Sequence, residues 1–111
     1  MDAEFIRDLF AEFGPVQVRR MFGGAGVYAD GTMFALVVRD VLYLKTEPDQ
    51  TARFAAEGCG PFEYTREGRK ATLTSYWRVP DRLYDDPGEL ADWARQALAA
   101  ARAKPRRKQA P

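Results

Sequence analysis

Apolar and polar positions alternate with two different periods along the chain, and the changes of period mark its elements. The shorter period dominates Arg19 to Lys45. Val27-Tyr28 leads into Asp30-Gly31, Met33 to Val38 follows, and Arg39-Asp40 separates that run from Val41 to Lys45. Asp-Gly is a strong hairpin signal because glycine accepts a positive φ at no steric cost. The spacing predicts three antiparallel strands in a meander. Met33 to Val38 is apolar on both faces, as a central strand should be. Upstream, Val16 to Phe22 alternates as an extended segment, read as the first half of a strand broken at Gly23-Gly24 and resumed at Gly26. Glycines inside strands mark bulges or close backbone approaches.

The longer period opens and closes the chain. Phe5, Ile6, Leu9, Phe10 and Phe13 form one stripe over a helix from Asp2 to Phe13, with Asp2 as N-cap and Gly14-Pro15 as its stop. At the other end Leu90, Trp93, Ala94, Ala97, Leu98 and Ala101 make a second stripe. Asp86 caps that helix, Pro87 sits at its first position, and Glu89 completes a capping-box arrangement. Between these lie a short helix opened by Thr46-Glu47-Pro48-Asp49 and ended by Gly58-Cys59-Gly60-Pro61, and a hairpin. Phe62 to Arg66 alternates, Glu67-Gly68 turns the chain, and Lys70 to Val79 keeps period two over ten residues. That alternation puts Trp77 with Leu73, Ser75 and Val79, hence in the core, and Tyr76 on the opposite face with Lys70, Thr72, Thr74 and Arg78. The expected fold is α+β: a two-layer α/β sandwich with a mainly antiparallel five-stranded sheet, in the order α-β3-α-β2-α.

Composition changes this picture little. A hydrophobic fraction of 46% and a charged fraction of 30% in 111 residues describe one globular domain. No apolar run approaches the ~20 residues that span a bilayer. Met1 to Phe13 lacks the basic and apolar blocks of a signal peptide. With a single cysteine, Cys59, the chain has no internal disulfide, and a cytoplasmic location is the expectation. Charge is asymmetric. Four of the 17 Lys+Arg lie in 104–111, which holds none of the 16 acids, so residues 1–103 carry 13 basic against 16 acidic residues, a net of −3. The domain is therefore expected to run from 1 to 103 with a disordered basic tail at 104–111.

The residues present argue against most catalysis. The chain has no histidine, so the commonest general base is missing and Ser75, its lone serine, has no imidazole to activate it. Cys59 follows a helix C-terminus, where the dipole opposes a thiolate. Gly24 to Ala29 matches G-x-G-x-x-A on paper, but a hairpin turn and a strand follow it rather than a helix. Asp81, Asp85 and Asp86 cluster before the last helix, yet Asp86 is needed as a cap. No cofactor, no metal and no enzymatic activity are expected. What remains is a set of cations and aromatics: Arg19, Arg20, Lys45, Arg69, Lys70, Tyr76 and Arg78. On one sheet face they would suit an anionic or protein partner. Lys104, Arg106, Arg107 and Lys108 in the tail are the candidates for nucleic-acid contact.

Arg19-Arg20-Met21-Phe22-Gly23-Gly24 resembles the N-terminal domain of the TfoX/Sxy family. The likeness continues through Leu42-Tyr43-Leu44-Lys45, Pro61-Phe62-Glu63-Tyr64 and Ser75-Tyr76-Trp77-Arg78-Val79-Pro80, and ends in the helix from Asp86-Pro87 to Ala101. It implies the same α-β3-α-β2-α order and a bacterial cytoplasmic regulator rather than an enzyme. Full-length members act as coactivators of competence genes for DNA uptake, with the cyclic-AMP receptor protein. They also carry a second, C-terminal helical domain, so a free-standing N-terminal domain is the expectation here. The first reading is a regulatory, protein-interaction domain whose partner is a transcription factor of the cyclic-AMP receptor type. Direct nucleic-acid binding is the alternative, and a small-ligand-binding domain or enzyme the third. A homodimer is left open.

Overall fold

The computed structural model describes residues 1–21 and 23–103. Asp2 accepts a hydrogen bond from the Phe5 amide at 2.8 Å and starts α1, Ala3–Leu9. This helix is shorter than its apolar stripe. Phe10 to Phe13 continue it only as turns, closed by Gly14 at φ +135°. Six strands follow in two groups: β1 (Gln17–Met21), β2 (Gly24–Ala29), β3 (Thr32–Val38) and β4 (Val41–Lys45), then β5 (Pro61–Arg66) and β6 (Arg69–Arg78). A single 3-10 turn at Pro48–Gln50 leads into α2, Thr51–Ala56, and another at Asp81–Asp85 leads into α3, Pro87–Arg102.

The expected α+β class holds, with six strands among the described residues in place of five. Gln17–Met21 and Gly24–Ala29 are not one interrupted strand. They pair antiparallel with each other, Gln17 opposite Tyr28 and Met21 opposite Gly24, so the chain reverses at Gly23. Gly23, at φ +69°, supplies the left-handed residue that this reversal needs. The sheet order is β1-β2-β3-β4-β6-β5, with every neighbouring pair antiparallel. β6 lies beside β4, and β5 becomes an edge.

Register decides what each face carries. Val18, Val27, Ala35, Leu44 and Trp77 stand opposite one another across five strands, under the helices. A bulge leaves Phe34 without a partner on β2, and both Phe34 and Ala35 are buried in the core. The extra residue turns the large ring toward α1, where Phe10 meets it edge-on at 5.4 Å. Ile6, Phe10, Leu42, Leu44, Leu90 and Ala94 complete the helix-side core.

α3 starts where expected: Asp86 accepts from the Glu89 amide at 3.1 Å. The reciprocal half of the capping box is absent. The Glu89 carboxylate accepts instead from Arg82 at 2.7 Å and from the Trp93 indole at 3.3 Å. Arg82 also forks onto Glu57 at 2.6 and 2.8 Å, tying the end of α2 to the start of α3.

Candidate functional site

All three helices lie on one side of the sheet, against β1, β3, β4 and β6, and the other side is open. The open-face positions follow from register: Arg19, Gly26, Leu36, Tyr43 and Arg78 form one row, and Met21, Gly24, Val38 and Val41 the next. Glycine at 26 leaves room that neighbouring side chains fill. A Cβ there would stand 2.7 Å from the Met33 sulfur and 3.1 Å from the Met21 sulfur. Two flexible thioethers therefore converge over the middle of β2.

The β5–β6 hairpin changes sides as it leaves the sheet. Pro61 pairs with Trp77, but Phe62 pairs with Leu73, so Thr74, Ser75 and Tyr76 have no partners on β5. The Trp77 indole donates to the Thr74 carbonyl at 3.0 Å inside this irregularity. Strict alternation through Lys70 to Val79 is broken here, and Leu73 does not share the core face with Trp77. Trp77 itself packs toward Phe54 on the helix side, as its alternation predicted. Beyond the bulge, Phe62 and Tyr64 stack on each other and Phe62 meets Tyr43 edge-on at 4.9 Å.

The result is a cleft of about 440 Å³ on the open face. Leu36 and Val38 form its floor, Met21 and Gly24 one wall, and Phe62, Tyr64 and Leu73 the other. Among the described residues, Met21, Tyr64 and Leu73 are three of the four large apolar residues with more than a third of their surface in water. None of the lining residues is charged.

The residues singled out from sequence divide between the two sides. Arg19 lies on the open face, its guanidinium 4.9 Å from the centre of the Tyr28 ring. Lys45 is half-buried there, 5.5 Å from the Tyr76 ring. Arg78 shares the row of Tyr43 and pairs with Asp81 at 3.3 Å. Arg69 stands opposite Arg66 beside the hairpin turn, on the side of Tyr64. Arg20 does not join them. It pairs with Ala25 and points to the helix side, near Met1 and Asp40. Lys70 pairs with Thr65 on the far side of the hairpin and forms an ion pair with Glu63 at 3.7 Å.

Tyr76 is on the expected face but only 8% exposed, with burial pushing its hydroxyl pKa up, so it supports Lys45 from beneath rather than offering a contact. Lys104, Arg106, Arg107 and Lys108 lie outside the described residues. Sequence reasoning missed the cleft itself: Met21, Leu36, Val38, Phe62, Tyr64, Leu73 and the flanking Arg66. The alternation of Phe62 and Tyr64 on a hairpin with few apolar neighbours was the available signal.

Other chemistry is already committed. Asp81 holds Arg78 and Asp86 caps α3. Cys59 is buried and its thiol is pushed up chiefly by desolvation. Among the described residues, no three His, Cys, Asp or Glu groups converge as metal ligands, and no helix is long and apolar enough to cross a membrane.

Comparison with known proteins identifies the family. The model of the TfoX N-terminal domain matches residues 8–101. The chain is similar to the DNA transformation protein TfoX1 of Aliivibrio fischeri, 30% identical over 91 residues covering 82% of this chain and 43% of that protein. It is also similar to protein Sxy of Escherichia coli, 29% identical over 96 residues, 86% of this chain and 45% of that one. The chain thus spans less than half the length of either relative. With its match running from the end of α1 across all six described strands into the last turn of α3, this chain belongs to the TfoX N-terminal domain family.

Proposed function

We propose that the chain is a regulatory, non-enzymatic protein-interaction domain of the competence type, acting through the open face of its sheet. One observation carries this reading: a sheet covered by helices on one side presents on the other an apolar cleft and a set of cations, most of them without a carboxylate within ion-pair distance among the described residues. Exposed apolar surface of this kind is characteristic of interaction sites. The relatives' names, a DNA transformation protein and Sxy, support a role in the regulation of DNA uptake. The partner is a transcription factor of the cyclic-AMP receptor type, and the domain works in the cytoplasm as its coactivator.

The test is a titration of the full chain, by fluorescence anisotropy, against labelled duplex DNA alone and against the same DNA carrying such a factor. Binding that requires the factor and changes little with salt upholds the reading. Binding to bare duplex with log K falling by about 0.9 per phosphate contact against log salt replaces it with direct nucleic-acid binding.

A further inference from the structure

The cleft between Met21 and Tyr64 has a charge pattern as well as a shape. By register, the open face carries Arg19 on β1, Lys45 on β4, Arg66 on β5, and Arg69 and Arg78 on β6. No strand position on that face, among the described residues, carries an acid. Of the five cations only Arg78 has a carboxylate within ion-pair distance among the described residues. The strand acid of the hairpin, Glu63, points to the other side and is held by Lys70, and Glu67 sits in the turn that joins Arg66 to Arg69. An uncharged cleft is thus flanked by Arg19 at one end and by Arg66 and Arg69 at the other.

We propose that this cleft receives an acidic amphipathic helix from a partner protein, its apolar side chains between Met21 and Tyr64 and its carboxylates on Arg19, Arg66 and Arg69. This deepens the interaction reading above and rests on it. Three arguments select the occupant. A second copy packed by a two-fold axis would bring the five-cation face against itself, an unfavourable apposition of like charge. An extended peptide crossing the apolar floor of Leu36 and Val38 would leave its amides unpartnered, since the strands beneath already bond one another. A helix satisfies its own backbone and needs only side-chain anchors at i, i+3 and i+4.

The lining fits such anchors. A volume of about 440 Å³ falls within the ~300–1,000 Å³ of pockets that take large apolar groups. Met21 and Met33 converge over Gly26, and thioethers re-pack around ligands of differing shape. The guanidiniums provide the planar forks that grip carboxylates in pairs.

The experiment is an amide-shift titration of the full chain, at about 0.15 M salt to screen distant charge. The probe is a synthetic helix of roughly four turns, ~14 residues, with leucines at i, i+3, i+4 and i+7 and glutamates flanking them. Shifts centred on Met21, Gly24, Leu36, Val38 and Leu73 are expected. Leu73→Glu and the double variant Arg19→Glu/Arg69→Glu should each weaken binding about tenfold or more, as loss of central anchors does. These side chains are exposed, so circular dichroism should show each variant folded. The double variant should in turn prefer the same helix with lysines in place of glutamates.

Equal affinity of the native chain for the lysine helix overturns the assignment, as do shifts confined to α1 and α3. Concentration-dependent shifts of the same amides without peptide assign the cleft to a second copy instead. If the transcription-factor complex is captured equally by the Leu73→Glu chain, the cleft proposal fails and the regulatory reading stands. If the peptide binds as described but no factor is captured, the regulatory reading fails alone.

Discussion

The Tyr84 hydroxyl accepts the Leu42 amide hydrogen at 3.1 Å, taking a place that a strand residue would normally hold. Leu42 and Val79 are the next antiparallel pair after Tyr43 and Arg78, and Val79 donates to the Leu42 carbonyl at 3.0 Å. The return bond is missing because the chain turns away at Pro80, and the tyrosine from the following turn supplies the acceptor.

Tyr84→Phe should therefore lower stability by about 1–3 kcal/mol, the cost of leaving a buried amide without an acceptor. Leu42 is fully buried, so water cannot replace the hydroxyl. A urea-denaturation midpoint checks this. A midpoint equal to that of the native chain would show that the ladder closes without Tyr84.

Arg82 makes stability depend on acid in a defined direction. Its hydrogen bonds are the largest cause holding both Glu57 and Glu89 below the usual carboxylate value of 4.5. A carboxylate depressed in the folded state contributes fully above its unfolded pKa and loses that contribution as pH falls through the folded one. The stability gap between the native chain and Arg82→Gln should be constant above about pH 5 and shrink below the unfolded value. Parallel urea midpoints from pH 7 to pH 3 would contradict it.

The β3–β4 turn holds a correctable strain. Arg39 and Asp40 both have positive φ, 52° and 61°, without a glycine. Asp40 also receives the Met1 ammonium, so it is better left in place. Arg39→Asn should raise stability by about 0.5–1 kcal/mol, because asparagine tolerates the left-handed region that arginine resists. A thermal midpoint unchanged or lowered would refute this.

Cys59 should react slowly with an aromatic disulfide reagent in the folded chain at neutral pH, and at once after unfolding in urea. It is 7% exposed, and desolvation raises its pKa. Fast native labelling would mean that the loop after α2 opens readily.

The sequence declared those parts of the fold that rest on local patterns. Asp2 and Asp86 cap helices as their spacing demanded, and Asp30-Gly31 and Glu67-Gly68 turn hairpins with paired positive φ. The failures share a cause, since each is an irregularity that only partner strands impose. Gly23 reads equally as a bulge or a reversal until β2 is seen to pair with β1. Leu73 reads as core by alternation because nothing local signals that Thr74 to Tyr76 lack partners. Arg19 and Arg20 are adjacent in sequence, so they necessarily face opposite sides of a strand. Arg19 joined the open face and Arg20 did not, which a one-residue change of register would have reversed. No local pattern signals the cleft, because its walls come from strands at opposite edges of the sheet, Met21 on β1 and Tyr64 on β5.

The bulge at Thr74–Tyr76 has a mechanical side. β6 is held to β4 over a short stretch, Tyr43 with Arg78, Leu44 with Trp77 and Lys45 with Tyr76, extended by the backbone bonds of Val79 to Leu42 and Thr46 to Ser75. Its outer length pairs with β5 alone, so the hairpin is a cantilever clamped at its root. The span between Tyr64 and Met21 is thus set by the hairpin's angle at that root and not by the hydrogen bonds of β1 to β4. Beside the root, the Phe62 ring rests against Tyr43 of β4. Flexing at that root would alter the width of the cleft while leaving the pairing of β1 to β4 in place.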